Sequence, residues 1–178
     1  MADRLLKVRK TDLSKHIFAA GITFVTGVPD SAFRDLIKGL EYSEMNQRYV
    51  PATREDNAVA LAVGASLIGE HPLVFMESSG IGNAIDALTS LAIVYGIPLV
   101  LFIAWAGYQG RDIPHHNVIG EPLQPLLASL NIPTFEVGLG VSLDSIAPII
   151  HQASLYAQSS SRPVAVLGIP EELSDAKR

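Results

Sequence analysis

The sequence predicts an α/β fold: a doubly wound, mostly parallel six-stranded sheet with helices on both faces. Short runs rich in β-branched and aromatic residues alternate along the chain with longer stretches of helical periodicity. The longest apolar run, residues 97–106, is typical of a strand that is buried on both faces. Alternation of this kind indicates strand–helix–strand units, whose crossovers place parallel strands side by side.

The predicted elements follow one another without an internal repeat or a long linker. We predict strands over residues 22–26, 48–52, 73–77, 98–104, 134–137 and 164–168. Between them we predict helices over residues 31–40, 56–69, 83–95, 122–130 and 143–159, after a first helix that is capped by Thr11 or Asp12 and ends before Gly21. Residues 105–120 are predicted to be irregular, and so long a loop favours a role in a site or an interface.

Length and composition narrow the class of protein. A chain of 178 residues is expected to form a single domain, residues 1–178. Its 48% hydrophobic and 17% charged residues indicate strands buried on both faces or a sizeable subunit interface, so self-association is expected. The net charge of −5 argues against nucleic acid, and the absence of cysteine excludes disulfides and thiolate catalysis.

No membrane segment is expected from the sequence. The apolar run 97–106 is about half as long as the roughly 20 residues that a spanning helix needs. Residues 1–10 are charged throughout and lack the apolar core of a signal peptide. We therefore expect a cytoplasmic protein.

Glu55 stands where the extended stretch 48–52, predicted to be a buried strand, turns into a helix of small residues. Ligands of open parallel sheets bind at the carboxyl ends of the strands. A carboxylate that apolar side chains enclose there can exchange a proton near neutral pH, because its charged form is disfavoured. The alternative is a first-turn glutamate that merely complements the helix macrodipole.

The glycine-rich stretch 78–83, Ser-Ser-Gly-Ile-Gly-Asn, follows the third predicted strand and has three interpretations. A dinucleotide site is disfavoured, because Ile85 replaces the third glycine of the fingerprint. A tight turn with positive φ at the glycines, and with Asn83 as a helix cap, is the structural interpretation. The third interpretation is a loop whose glycines let a flat heterocycle approach the backbone.

Two adjacent histidines, His115 and His116, lie in the long predicted loop. Neighbouring side chains point in different directions and no third ligand type is near, so a metal site is not expected. They are either exposed loop histidines or acid/base groups that titrate near neutrality. If the strands are parallel, this loop, Glu55, residues 78–83 and the Asp30-Ser31 turn all lie along one edge of the sheet, which favours a site there.

Three segments together carry a family resemblance. Residues 27–31 (Gly-Val-Pro-Asp-Ser), the Glu55 segment and residues 78–84 resemble, in order and spacing, the pyrimidine-binding domain of thiamine-diphosphate-dependent 2-oxo-acid decarboxylases. The similarity extends over residues 11–170 and includes phosphonopyruvate decarboxylases and the alpha subunits of sulfopyruvate decarboxylases. It implies a carboxy-lyase whose cofactor is thiamine diphosphate and whose substrate is a small anionic 2-oxo acid.

The resemblance implies roles for the residues noted above. Glu55 would bond N1′ of the aminopyrimidine and favour the tautomer that removes the proton from C2 of the cofactor. His115 and His116 match tandem histidines of pyruvate-type decarboxylases, and Asp30 and Ser31 fall where a polar side chain faces the substrate. Further residues would border the pyrimidine: Ser79, Gly80, Gly82 and Asn83. Arg111 could meet a sulfonate or phosphonate, or could be a surface arginine.

One motif of the family is missing from the sequence. These enzymes hold the diphosphate through Mg²⁺ with a Gly-Asp-Gly motif, which this chain lacks. The resemblance therefore implies a separate beta-type chain that carries the diphosphate and metal site. Two alternatives stay open: a thiamine enzyme of the same architecture for another 2-oxo acid, and a non-catalytic α/β binding or regulatory module.

Overall fold

The computed structural model describes residues 13–42, 48–138 and 145–173. It confirms the predicted fold class, with six strands that are all parallel rather than mostly so. Their order across the sheet is β2-β1-β3-β4-β6-β5. The strands are β1 (Phe24–Gly27), β2 (Tyr49–Pro51), β3 (Pro72–Glu77), β4 (Leu99–Ala104), β5 (Thr134–Val137) and β6 (Pro163–Gly168).

Helices cover both faces of this sheet. They are α1 (Leu13–Ala19), α2 (Arg34–Tyr42), α3 (Glu55–Leu67), α4 (Ile81–Ala87), α5 (Pro114–Gly120), α6 (Leu123–Ser129), α7 (Ile146–Ser160) and α8 (Pro170–Leu173). The predicted caps Thr11 and Asp12 and the predicted start of the helix at residue 143 lie outside the described residues. Gly21 has a positive φ of 87° just after α1, as expected of a helix stop.

Each face of the sheet has its own apolar core. One core packs α1, α2 and α7 against the sheet, and in it Phe33 stacks against Phe75 and Phe102 at centroid distances of 5.1 and 5.4 Å. The other core lies under α3, α4 and α6 and is built from small and branched side chains. The central strands β3, β4 and β6 are buried almost throughout, which explains their continuous apolar sequences.

The strand before Glu55 is not buried, contrary to the prediction. Val50 and Pro51 of β2 are exposed and Tyr49 is half-buried, because β2 is the outermost strand and pairs only with β1. Proline is tolerated at such an edge because the sheet requires no donor there. Glu55 itself is the first residue of α3.

The prediction of an irregular stretch over 105–120 holds for its first half and is wrong for the second, where α5 begins at Pro114. Proline at the first helical position needs no hydrogen-bond partner for its nitrogen and has a φ suited to the helix. Just before it, the Asp112 carboxylate accepts a hydrogen bond of 2.7 Å from the Ile113 N–H. The short helix α8 was also absent from the prediction.

Residues 78–82 do not form a loop. Ser78–Gly80 make a single 3₁₀ turn that leads directly into α4, and α4 continues as a π-helical turn over Leu88–Ile93. The Glu77 carboxylate accepts from the Ser79 N–H at 3.3 Å and so caps this turn. The helix therefore begins earlier than the predicted residue 83.

None of the helices in the described part of the chain is long and apolar enough to span a membrane.

Replacing Gly27 at the end of β1 should destabilise the fold. A Cβ there would overlap the Phe75 carbonyl oxygen and lie 2.7 Å from the Phe75 ring. We expect Gly27→Ala to lower the free energy of unfolding by about 1–3 kcal/mol or more, because the backbone of a central strand cannot yield. Gly64→Ala is the matched control, since a Cβ on that face of α3 meets nothing within 4 Å and should stabilise the helix by roughly 0.5–1 kcal/mol. Equal denaturation midpoints for both variants would contradict this.

Candidate active site at the carboxyl ends of the strands

All six strands run the same way, so their carboxyl ends form one edge of the sheet. The chain passes from β1 outward to β2 and then crosses back to β3 on the other side of β1. Such a change of direction opens a crevice outside the strand ends, which is where ligands bind in open α/β sheets. Glu55, Glu77 and the start of α4 all border this crevice.

Glu55 is half-buried at the first position of α3, where the helix dipole favours a negative charge. Its Oε2 atom accepts a hydrogen bond of 2.8 Å from Nδ2 of Asn83 on α4. The neighbouring Arg54 and Asp56 pair with each other at 3.2 Å and leave Glu55 outside their ion pair. The carboxylate is thus held on one side and keeps acceptor capacity on the other.

Gly80 is required by its contact with Glu55 and not by a turn. Its φ of −67° is ordinary, but a Cβ would lie 2.7 Å from Cγ and from Oε1 of Glu55. Asn83 lies inside α4 and does not cap it. The interpretation of these glycines as a positive-φ turn with an asparagine cap was therefore wrong.

Gly82, Asn83 and Ser79 are exposed beside this contact. A Cβ at Gly82 would meet nothing within 4 Å, so open space lies over the first turn of α4. The arrangement joins a half-buried carboxylate, a side-chain amide and an open backbone surface. A flat heterocycle with a donor nitrogen matches that set of groups.

A second cluster at the same edge surrounds His116. Nδ1 of His116 lies 3.0 Å from Oδ2 of Asp112, and Nε2 lies 3.7 Å from Oε2 of Glu77. Nδ1 is buried without a hydrogen-bond partner in the described chain, so the Asp112 oxygen is close to it but not aligned for a hydrogen bond. The side chains of His116, Glu77 and Asp112 are 22%, 19% and 30% exposed.

Asp112 is also fixed from the backbone side. Burial alone would raise its pKa, but hydrogen bonds from the N–H groups of Ile113 and Gly107, together with the adjacent His116 ring, hold the pKa of Asp112 below its ordinary value. Gly107 has a φ of 76°, and a Cβ there would overlap the His116 carbonyl. The stretch before α5 is consequently folded back tightly on the start of that helix.

His115 differs from its neighbour. It is exposed, and its ring stacks edge-on against that of His116, with the centroids 4.4 Å apart and an interplanar angle of 70°. Among the described residues no carboxylate or carbonyl is bonded to it. The two histidines thus have separate environments, which the sequence could not distinguish.

The three residues predicted to face the substrate have contacts of their own at this edge. The Asp30 carboxylate accepts a hydrogen bond of 2.8 Å from the Ala32 N–H and caps the turn Ser31–Phe33, whose Ser31 is exposed. Arg111 is exposed and lines a cleft of about 200 Å³ between the ends of β4 and β6. The cleft is also lined by Trp105, Tyr108, Asp112, Ile169 and Pro170. In the described chain no hydrogen bond or ion pair links these three residues to Glu55.

Sequence reasoning missed Glu77 and Asp112 as members of the site. The spacing of Asp112 and His116, four residues apart, was a usable signal once Pro114 is taken as a helix start. Glu77 offered no such signal, because its contact with His116 depends on how α5 packs over the Ser78–Gly80 turn. No group of three or more His, Asp or Glu side chains in the described ranges is placed to hold a metal ion.

The fold and the carboxylate–glycine contact define an α/β domain with a candidate ligand site at the carboxyl edge of its sheet. The family model described as "Thiamine pyrophosphate enzyme, N-terminal TPP binding domain" matches residues 11–129. The chain belongs to this family of thiamine-diphosphate-binding domains.

Relatives of known name cover most of the chain. The Methanocaldococcus jannaschii protein named sulfopyruvate decarboxylase subunit alpha is 34% identical over 148 residues, which are 83% of this chain and 85% of that protein. The subunit of the same name from Methanococcus maripaludis is 31% identical over 153 residues, 86% of this chain and 89% of that protein. Phosphonopyruvate decarboxylase of Streptomyces viridochromogenes is 37% identical over 117 residues, 65% of this chain but 29% of that protein.

Solved structures agree on the fold. A thiamine-diphosphate-dependent 4-hydroxybenzoylformate decarboxylase of Rhodococcus jostii RHA1 superposes with a TM-score of 0.65 at 21% identity over 92% of this chain. Benzoylformate decarboxylase of Polynucleobacter necessarius gives a TM-score of 0.66 at 17% identity over 94% of this chain. This chain spans 31% of each of those longer chains.

Replacing Gly80 should displace Glu55 without unfolding the chain. The atoms that a Cβ would meet belong to a flexible side chain, and the φ of Gly80 suits alanine. We expect Gly80→Ala to keep the melting temperature close to the wild-type value and to break the Asn83–Glu55 hydrogen bond. The Asn83 side-chain amide resonance reports that bond directly in NMR spectra. Gly64→Ala should leave the resonance in place, and an unchanged resonance in Gly80→Ala would refute the close contact.

Asp112 should make stability depend on acid pH. Because its folded pKa lies below the unfolded value of about 3.9, its ionised form stabilises the chain fully above that pH and progressively less as the pH falls through the folded pKa. We expect Asp112→Asn to lower the melting temperature at pH 7 and to approach wild type below about pH 4. Asp86→Asn, on the exposed face of α4, is the control. A deficit that is constant across this pH range would be inconsistent with the lowered pKa.

Proposed function

We propose that this chain is the alpha subunit of a thiamine-diphosphate-dependent decarboxylase of a small anionic 2-oxo acid. The observation that carries the proposal is the Glu55 carboxylate, held by Asn83 and packed on Gly80 at the crevice of a thiamine-diphosphate-binding domain. A carboxyl group in that position suits ring nitrogen N1′ of the cofactor's aminopyrimidine, with which it would share a proton. The relatives named sulfopyruvate decarboxylase subunit alpha support sulfopyruvate as the first substrate to test, and phosphonopyruvate as the second.

The residues at the crevice fit the pyrimidine half of the cofactor. Glu55 would share a proton with ring nitrogen N1′, while Gly80 keeps the carboxylate seated and Asn83 fixes its orientation. Ser79 and Gly82 would border the ring through exposed backbone. The bound cofactor supplies the carbon nucleophile and electron sink that decarboxylation of a 2-oxo acid needs. In this proposal the chain holds a proton between Glu55 and the ring nitrogen, and it orients the pyrimidine ring.

A partner must supply the diphosphate site in this proposal. The chain has no Gly-Asp-Gly motif, and its relatives include proteins named as alpha subunits. We therefore propose a beta-type chain that binds the diphosphate through Mg²⁺. The substrate-facing roles of Asp30, Ser31 and Arg111 belong to the same proposal, as do the acid/base roles of His115 and His116. The single domain over residues 1–178, self-association and a cytoplasmic location stay predictions from composition.

Glu55→Gln tests the function. The change keeps the size of the side chain and its acceptor for Asn83 but removes the acid/base group. We expect carbon dioxide release from sulfopyruvate by the complex with the beta-type chain to fall by roughly 10²–10⁴, the usual weight of a positioned proton-transfer group. Asp56→Asn, one residue further along and paired with Arg54, is the matched control and should retain activity. Near wild-type turnover in Glu55→Gln would contradict the proton-transfer role of Glu55.

Calorimetry tests whether this chain binds the cofactor alone or only in complex with the beta-type chain. Most of the cofactor's charge lies on its diphosphate, and the pyrimidine contacts alone should not offset the entropy lost on capture. We expect the lone chain to bind thiamine diphosphate weakly or not at all, and the complex to bind it tightly when Mg²⁺ is present. Micromolar or tighter binding by the lone chain would contradict the need for a partner.

A further inference from the structure

The two adjacent histidines occupy environments that suit different tasks. Both ring nitrogens of His116 face carboxylates, Asp112 at 3.0 Å and Glu77 at 3.7 Å. Nδ1 is also buried without a hydrogen-bond partner in the described chain, while the His116 side chain as a whole is 22% exposed. His115 is exposed, and its ring contact is the edge-on stack against His116. Of the pair, His115 has the more exposed ring, and in the described chain no carboxylate or carbonyl is bonded to it.

Both carboxylates around His116 are themselves fixed. Asp112 accepts hydrogen bonds from the N–H groups of Gly107 at 3.1 Å and Ile113 at 2.7 Å. Glu77 accepts from the Ser79 N–H at 3.3 Å and lies 3.3 Å from the Ser78 hydroxyl. The His116 ring is thus held between the end of β3 and the loop before α5. The His115 ring stacks on this held ring, and in the described chain no hydrogen bond or ion pair joins His115 to either carboxylate.

We infer that Glu77 and Asp112 are positioning residues that fix His116 as a support, and that His115, stacked on that support, is the acid/base group at this edge. The inference rests on the proposed decarboxylase function for what His115 acts on, and it divides roles that the sequence left shared. The ionisable side chains of the elements around the pair are Tyr108, Arg111, Asp112 and Glu121 on the same stretch of chain and Glu77 on β3.

A structural test needs neither cofactor nor substrate. Rings 4.4 Å apart give a nuclear Overhauser effect between the imidazole protons of His115 and His116 in the full chain. We expect Glu77→Gln and Asp112→Asn each to weaken this signal at least severalfold, although neither residue contacts His115. Glu121→Gln, beyond the other end of α5, is the matched control and should leave it unchanged. An unaltered signal in both folded carboxylate variants overturns the positioning role.

A kinetic test separates the histidines in the complex with the beta-type chain. We expect His115→Gln to lower kcat for sulfopyruvate by roughly 10²–10⁴ and to remove a limb near neutrality from the pH profile of kcat/KM. His116→Asn and Glu77→Gln should lower kcat by roughly 10- to 100-fold through misplacement of His115, yet keep that limb. His71→Gln is the histidine control, because His71 lies before β3 and outside the crevice. It should change neither kcat nor the pH profile.

A double variant tests whether Glu77 acts through His115. If Glu77 acts through His115, adding Glu77→Gln to His115→Gln should cost much less than Glu77→Gln costs alone. Additive losses, or loss of the pH limb in His116→Asn but not in His115→Gln, would overturn the assignment of roles. If the wild-type complex released no carbon dioxide from either 2-oxo acid, the proposed function would fail, whereas the Overhauser result would still decide the positioning of His115.

Discussion

The packing of α3 against the start of α4 is the contact on which the candidate site depends. The first turn of α3 follows a three-residue edge strand, so little of the sheet itself holds Glu55 in place. The missing side chain of Gly80 lets the carboxylate approach the backbone, and Asn83 then fixes one of its oxygens at 2.8 Å. The two helices cover the same face of the sheet and are joined at the crevice by these contacts. They hold the Glu55 side chain more precisely than an exposed loop would.

The fold class was predictable because strand composition, helix length and helix-ending glycines in the sequence all agree with it. Buried central strands are uniformly apolar, the helices between them are longer, and glycines such as Gly21 end helices where expected. The glycines of residues 80–82 were harder to interpret, because a glycine can serve positive φ or close approach, and the sequence does not state which. Only the tertiary contact with Glu55, twenty-five residues earlier, shows that close approach decides at Gly80.

The stretch 105–120 shows where sequence reasoning ended. Its composition indicated a loop that lines a site or an interface, yet Pro114 marked the start of a helix. The first turn of that helix brings His116 within 3.0 Å of Asp112, which lies just before the helix. The pairing with Glu77 could not be predicted, since it depends on the fold of the loop: Gly107 in a left-handed conformation and the Trp105 indole donating to the Gly120 carbonyl at 2.8 Å. These contacts close the loop over β4 and bring α5 onto the turn that follows β3.

The charges at this edge bear on how an anionic substrate could enter. Glu55, Glu77 and Asp112 are carboxylates, and within the described chain His116 is the basic group placed between two of them. Arg54 is engaged by Asp56, whereas Arg111 lines the neighbouring cleft and has no ion pair with any of the described residues. A doubly charged 2-oxo acid would be repelled by the carboxylates unless positive charge compensates them. In the proposed enzyme that charge has two sources, Arg111 and the Mg²⁺-binding partner chain, so recognition of the substrate anion and assembly with the partner are expected to be coupled.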